Sequence, residues 1–246
     1  MEKKSLVRVM TFNIRHARGM NNRVSLRRIQ DEISRGEAHI VALQEVDRFN
    51  ARSWFRDQVR VIARSLEMNW CFSDSIHQGM FQYGNAILSR FPLEGTNKIF
   101  LPGKERRSIL RSGVVIDERI VRVVNTHLSV NAVERSRQFP MLMASVDKLD
   151  PPVVLMGDFN MEYHHRLFLQ MSPRWQRVAP QPKTATYAGG QEIDHIFVNV
   201  PGLKGRAWVQ ETDASDHHAV LAEIPLDMLH YSQDSVAEHG SHNDKK

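Results

Sequence analysis

Pro151-Pro152-Val153-Val154-Leu155-Met156-Gly157-Asp158-Phe159-Asn160 is the stretch on which the reading of this chain turns. A proline pair punctuates the chain, and the apolar run after it is too short for a helix, so it reads as a strand buried on both faces. A carboxylate at the end of such a strand calls for a reason. If the chain stays extended, Asp158 and Asn160 project to the same side, one an anion and the other an amide that donates and accepts. Gly-Asp and Phe-Asn are also good turn dipeptides, and alone these four residues fit a turn equally well.

The pattern recurs along the chain. Leu6 to Phe12 reads as a strand ending on Asn13, and a loop to Asn22 carries Gly19 and several basic residues. His39 to Leu43 runs into Gln44-Glu45-Val46-Asp47, and Ile120 to Val124 runs into Asn125-Thr126-His127-Leu128. Ile193 to Val198 places Asp194 at its start, on one face with Ile196 and Val198. Ser215-Asp216-His217 is a second compact polar motif. Polar groups repeated at strand ends point to a site along one rim of a sheet. Carboxylates set there beside neutral or basic hydrogen-bonding groups can hold a hard divalent cation and prepare a water for attack on phosphorus.

Taken in order, Asn13 in TFNIR, Glu45 in LQEVD, His127 in NTHL, Asp158 and Asn160 in GDFN, Asp194 in IDHIF, and Asp216 with His217 in SDHH resemble the signature set of the endonuclease/exonuclease/phosphatase family. Tyr83 to Leu93, YGNAILSRFPL, is similar to that family's central strand and turn. Single items such as NTHL are weak signals, whereas the ordered set is specific and spans nearly the whole chain. The resemblance implies an α/β fold of the DNase I-like kind, a four-layer sandwich of two mainly antiparallel β-sheets flanked by helices. It also implies hydrolysis of phosphate esters with Mg2+ or Mn2+.

Roles follow from the resemblance residue by residue. Glu45 is the expected principal metal ligand with Asn13 close by, since hard cations prefer carboxylate and carbonyl oxygen. Asp158 would orient or deprotonate the attacking water, and Asn160 would hold that water or a phosphate oxygen. His217 would contact the phosphoryl group or move a proton, its other ring nitrogen oriented by Asp194. Asp216 would be a second acid near the metal, and His127 would face the scissile phosphate from the opposite side. Glu105 resembles the glutamate that pairs with this histidine in deoxyribonuclease-like members, and Arg107 beside it is a candidate phosphate contact.

Departures from the family pattern carry information too. His195 stands where many relatives have tyrosine, and of His217-His218 only one member is needed, which leaves His218 to pack or hydrogen-bond on the other strand face. His164-His165 would open a helix. Neither HxxxH nor Cys-His spacing supports a zinc site. The single cysteine, Cys71, sits in a strand-like Trp70-Cys71-Phe72 and reads as a buried small residue.

With 246 residues and 41% hydrophobic content, the chain can build one large core, and no stretch approaches the ~18 apolar residues of a membrane span. The motifs thread from end to end, so residues 1–228 are expected to form one catalytic domain, with 229–246 a polar, disordered tail. The first five residues lead into a strand without an apolar signal core, which makes cytoplasmic residence the expectation. Helices are expected over Ser25 to Ile33, Asp57 to Leu66 and Val133 to Leu149. On the last of these, Arg135 and Gln138 share a face, open either to substrate or to internal hydrogen bonds.

The net charge of +5 suits a polyanion, with Arg15, Arg18 and Arg23 after Asn13 and Lys104, Arg106, Arg107 and Arg111 around Glu105 expected to border the site. A phosphodiesterase or phosphatase acting on a small molecule or lipid headgroup is the leading reading. A DNA or RNA nuclease of the same fold is the alternative, and a silent binding protein is disfavoured because every expected polar position is filled. Short connections speak for the first, since duplex-reading members add basic, wedge-bearing loops. The Met80-Phe81 and Trp175 regions fit an apolar rim for a peripheral lipid or a base as well as they fit core packing, and no protein partner is expected.

Overall fold

The computed structural model describes residues 5–229. Its strands are β1 (Leu6–Asn13), β2 (Ile40–Arg48), β3 (Asn69–Gln78), β4 (Phe81–Ser89), β5 (Leu93–Leu101), β6 (Arg107–Ile116), β7 (Arg119–His127), β8 (Val153–Asp158), β9 (Gln176–Arg177), β10 (Asp194–Val198), β11 (Arg206–Gln210) and β12 (Ala219–Pro225). The helices are α1 (Leu26–Gly36), α2 (Gln58–Ser65), α3 (Ala132–Val146) and the single turn α4 (Leu226–Leu229). Two six-stranded sheets result, in the orders β11-β12-β1-β2-β4-β3 and β5-β6-β7-β8-β10-β9.

Each sheet is antiparallel except for one pair. In the first sheet β1 runs parallel to β2, and in the second β7 runs parallel to β8. A parallel pair needs a long crossover, and α1 and α3 supply the two. β1, β7 and β8 end on Asn13, His127 and Asp158, and β2 carries Glu45 three residues before its end at Arg48.

Alternation decides which residues face which layer. Val7 and Val9 of β1 and Val154 and Met156 of β8 belong to the core between the sheets. Met10 and Phe12 pack outward with Leu26, Ile29 and Ile33 of α1 and with Val59 and Ile62 of α2. Leu155 and Val153 pack outward with Phe139, Leu142 and Val146 of α3. The four layers are those expected, and the inward series Val154, Met156, Asp158 and Val198, Ile196, Asp194 place both carboxylates between the sheets at their rim.

The helix ends confirm the sequence signals. Ser25 accepts from the Arg28 N–H, Asp57 from that of Arg60, and Asn131 from those of Val133 and Glu134. The third helix stops at Val146, short of the expected Leu149. His165 caps a short 3-10 turn, Arg166–Gln170, instead of opening an α-helix. Asn160 is not extended with Asp158: its backbone is left-handed at φ 53°, and its N–H donates back to Asp158 Oδ1 at 2.9 Å. The strand thus runs to Asp158 and the turn begins directly after it.

Trp175 is core, with its indole N–H donating to Asp147 Oδ1, while Met80 is exposed. Cys71 is buried, as expected. Leu229 is buried in α4, and the rest of the expected tail lies outside the described residues. Among the described residues no helix is long and apolar enough to cross a membrane.

Gly157 sits where the pairing of β7 with β8 leaves no room for a side chain. It pairs with Thr126, and a Cβ there would stand 2.0 Å from the Thr126 carbonyl oxygen, with φ 153° adding strain. Because the obstacle is backbone, Gly157→Ala must pry the parallel pair apart. It should lower unfolding stability by more than ~3 kcal/mol in urea titration, whereas an alanine at exposed Gly95 should cost far less.

Candidate active site

One carboxylate oxygen gathers the groups of both sheets. Asp158 Oδ2, at the end of β8, accepts from Asn13 Nδ2 of β1 at 3.1 Å. It faces His127 Nε2, at the end of β7, at 3.4 Å and His217 Nε2, in the loop before β12, at 3.8 Å. All four side chains are buried. Burial and then the neighbouring Asp194 charge push the Asp158 carboxyl up, out of the ordinary carboxylate range.

Asp194 sits directly across from Asp158 in the β8–β10 register. Its Oδ2 meets His217 Nδ1 at 2.9 Å and accepts from the Thr186 hydroxyl at 2.7 Å. Thr186 in turn takes the backbone N–H groups of Ile193 and Asp194. Burial lowers the His217 ring, but Asp194, Asp158 and Asp216 outweigh it and push the ring up to about 10. The Tyr187 ring packs on it, centroids 5.0 Å apart.

Glu45 reaches the rim through a bulge. Leu43 pairs with Ala86 and Val46 with Gly84, so Gln44 and Glu45 together oppose Asn85, and Glu45 takes a left-handed φ of 59°. Plain alternation would send Glu45 outward with Leu43; the extra residue turns it back to the site. Asn125 of β7 crosses between the sheets and donates to the carbonyls of Leu43 and Ala86, each at 2.8 Å, while Gln44 donates to its Oδ1 at 2.8 Å. Beyond the bulge, Arg52 grips buried Asp47 with two bonds of 2.8 and 2.9 Å.

Asn13 Nδ2 also donates to Glu45 Oε1 at 3.0 Å, and its Oδ1 takes the Arg15 N–H at 3.1 Å. The amide therefore ties Glu45 to Asp158. Asp216 faces Arg15 Nε at 3.3 Å, and the Ser215 hydroxyl, 3.3 Å from Asp216 Oδ1, donates to the Asn13 carbonyl at 2.8 Å. Asn160 Nδ2 is fixed to the Leu128 carbonyl at 2.9 Å, beside the end of β7.

The expected Glu105–His127 pair is not formed. Arg107 Nη1 lies 2.9 Å from His127 Nδ1, and Arg107 Nη2 donates to Glu105 Oε2 at 3.1 Å, so Glu105 stands one residue behind. Burial, then Arg107 and His217, hold His127 well below its usual range. Arg111 bonds to Ser145 and Asn97 and does not border the site. Arg135 and Gln138 brace the loop after His127 through Ser129, Val130 and Pro102. His195 packs with Phe159, Phe168 and Phe197, its Nε2 on the Met161 carbonyl, and burial with Arg177 holds it down to about 3. His218 accepts from the Thr212 N–H.

Two groups suit a cation. Glu45 offers a carboxylate against the Asn13 amide, with Asp216 across Ser215 from the Asn13 carbonyl, and Asp158, Asp194 and His217 offer atoms all within 4.8 Å of one another. Asp194 Oδ1 is buried without a hydrogen-bond partner, so acceptor capacity remains at this rim. An oxygen-rich donor set of this kind fits a hard divalent ion. The residues sequence reasoning missed are Thr186, Asn125 and the partner role of Arg107; Thr186 lies in an irregular loop with no local signal.

The Asp194–His217 pair makes a pH statement. The folded His217 value lies above the unfolded one of ~6.5, so its stabilisation is complete below that pH and fades as pH rises toward about 10. In chelator-treated protein, NMR should show the wild-type His217 ring still charged at pH 8. Asp194→Asn should bring its titration down to or below neutrality, and an unmoved ring would break the pairing.

The Escherichia coli K12 protein YbhP, itself named as uncharacterized, is 27% identical over 215 residues, covering 82% of this chain and 78% of that one. An endonuclease/exonuclease/phosphatase from Beutenbergia cavernae superposes with a TM-score of 0.72 at 21% identity, covering 89% of this chain and 71% of that one. The human Nocturnin catalytic domain, solved with bound sulfate, gives 0.69 at 19% identity, covering 90% and 96%. The model of the Endonuclease/Exonuclease/phosphatase family matches residues 10–217, from within β1 to His217 itself, and the chain belongs to that family.

Proposed function

We propose that this chain is a divalent-metal-dependent phosphoester hydrolase acting on a small-molecule or lipid-headgroup substrate. The observation that carries the reading is the convergence of Asn13, His127 and His217 on Asp158 Oδ2, with Glu45 one amide away. Glu45, with Asn13 and Asp216, would hold a Mg2+ or Mn2+ ion, which would supply Lewis-acid polarisation of the phosphoryl oxygen.

The chain's own residues handle the proton and the charge. Asp158, raised by burial and by Asp194, takes one proton from the attacking water as its oxygen bonds to phosphorus. The bond from phosphorus to the leaving oxygen breaks, and that oxygen is protonated from solvent. His217, charged and held by Asp194, stabilises the phosphoryl oxygens through Nε2. His127 presents its Nε2 from the other side, and Asn160, anchored at Leu128, closes the turn beneath.

A tight connection supports a small substrate. Only Gly79-Met80 joins β3 to β4, the turn on the Glu45 side of that hairpin. The nuclease reading draws support from a cavity of about 480 Å³ lined by Ile76, His77, Gln78, Lys104, Glu105 and Arg106, a basic hollow suited to a polyanion.

Hydrolysis of bis-p-nitrophenyl phosphate should require added Mg2+ or Mn2+ and vanish with chelator. Glu45→Gln should weaken metal dependence and rate together, and Asp158→Asn should lose ~100-fold or more in turnover with metal binding kept. Full activity in metal-stripped protein would overturn the mechanism. Plasmid nicking that outpaces hydrolysis of small phosphoesters, and that Asp158→Asn removes, would promote the nuclease reading.

A further inference from the structure

We propose that Arg107 is a positioning residue that holds His127 as the Nε2–H tautomer, so that His127 serves this site as a hydrogen-bond donor and not as the acid that protonates the leaving oxygen. The inference rests on the phosphoester-hydrolase reading for its function, and on bond polarity for its geometry.

A guanidinium carries five N–H donors and no acceptor, and it does not deprotonate in proteins. Arg107 Nη1 stands 2.9 Å from His127 Nδ1, so Nδ1 must accept. The ring hydrogen then sits on Nε2, the nitrogen that faces Asp158 Oδ2 at 3.4 Å. A carboxylate on Nδ1 would do the opposite: it would require a proton there and favour the charged ring, which is the arrangement expected from Glu105. Here Glu105 is bound to Arg107 Nη2 and reaches His127 only through it.

The arginine is locked in place. It begins β6, next to the end of β7 where Ile109 pairs with Thr126, and its side chain is 6% exposed against 45% for Glu105. Its Nε–H is buried without a partner. The arrangement therefore keeps a desolvated guanidinium where an apolar side chain would pack at lower desolvation cost, and the bond to His127 accounts for it. The two histidines at Asp158 divide their roles: His217 brings a positive charge fixed by a carboxylate, and His127 brings a neutral donor fixed by a cation.

The test reads the ring directly. In ring-15N-labelled full-length protein, without and with Mg2+, and with the signal assigned by its loss in His127→Gln, Nδ1 should carry the shift of an unprotonated nitrogen and Nε2 that of an N–H. Arg107→Lys, also an obligate donor, should keep that pattern and most of the turnover. Arg107→Met should release the ring to mixed tautomers and lower kcat roughly 10- to 100-fold with KM little changed. Across aryl phosphodiesters of graded leaving-group acidity, His127→Gln should lower kcat by the same factor throughout, because an amide still donates. An Nδ1–H or doubly protonated ring in the wild type, or a His127→Gln loss that steepens for poorer leaving groups, overturns the proposal. Should Arg107→Met not fold, the wild-type spectrum decides alone. That spectrum needs no substrate, so a protein inactive on every phosphoester would sink the hydrolase reading and leave the tautomer assignment standing.

Discussion

Asp158 Oδ2 is the point that the rest of the molecule is arranged to serve. It lies buried between two sheets, within hydrogen-bonding or ion-pair reach of an amide from one parallel strand pair, an imidazole from the other and a second imidazole from the loop before β12. A lone carboxylate in that position would be heavily penalised by desolvation. The Asn13 amide bond and two imidazole nitrogens within 4 Å offset part of that penalty, and the same groups are what a phosphoryl oxygen would meet on entering. Stability and chemistry therefore draw on one set of bonds.

The sheets are held in register for this purpose by polar groups that do not touch the reacting centre. Asn125 spans the core and occupies two carbonyls beside the bulge, with Gln44 closing the third bond, so the distortion that aims Glu45 is repaired from the opposite sheet. Arg52 on Asp47 and Gln58 on the Asp47 N–H fix the strand just beyond it. The left-handed Glu45 is thus over-determined by its surroundings, as strained functional residues generally are.

Strand ends were the legible part. Buried apolar runs that finish on Asn13 and Asp158, and the one that starts on Asp194, put those side chains on the inward face, because period-two alternation holds to the first and last residues of a strand. Alternation says nothing about bulges, so Glu45 was reached through the motif resemblance and not through its spacing. It also fails beyond a strand's end, which is why Asn160 turns away where an extended chain would have aligned it with Asp158. The exchange of Glu105 for Arg107 beside His127 was invisible for a different reason: two residues apart on the rising edge of β6, either could face the histidine, and only the packed structure chooses. Arg111 looked like a neighbour of the site from charge clustering, yet β6 carries it away from the rim to Ser145. Thr186 acts on Asp194 from an irregular segment, where local sequence carries no period to read.

Two groups of donors lie at this rim, and the proposed mechanism gives them different work, a cation at Glu45 and proton handling around Asp158. Anomalous diffraction from crystals soaked in Mn2+ separates the two directly. The Mn2+ peak should lie on the Glu45 carboxylate, with the His217 Nδ1 to Asp194 bond intact. A principal peak enclosed by Asp158, Asp194 and His217, with that bond broken, would contradict the assignment of those three residues to acid–base and electrostatic roles.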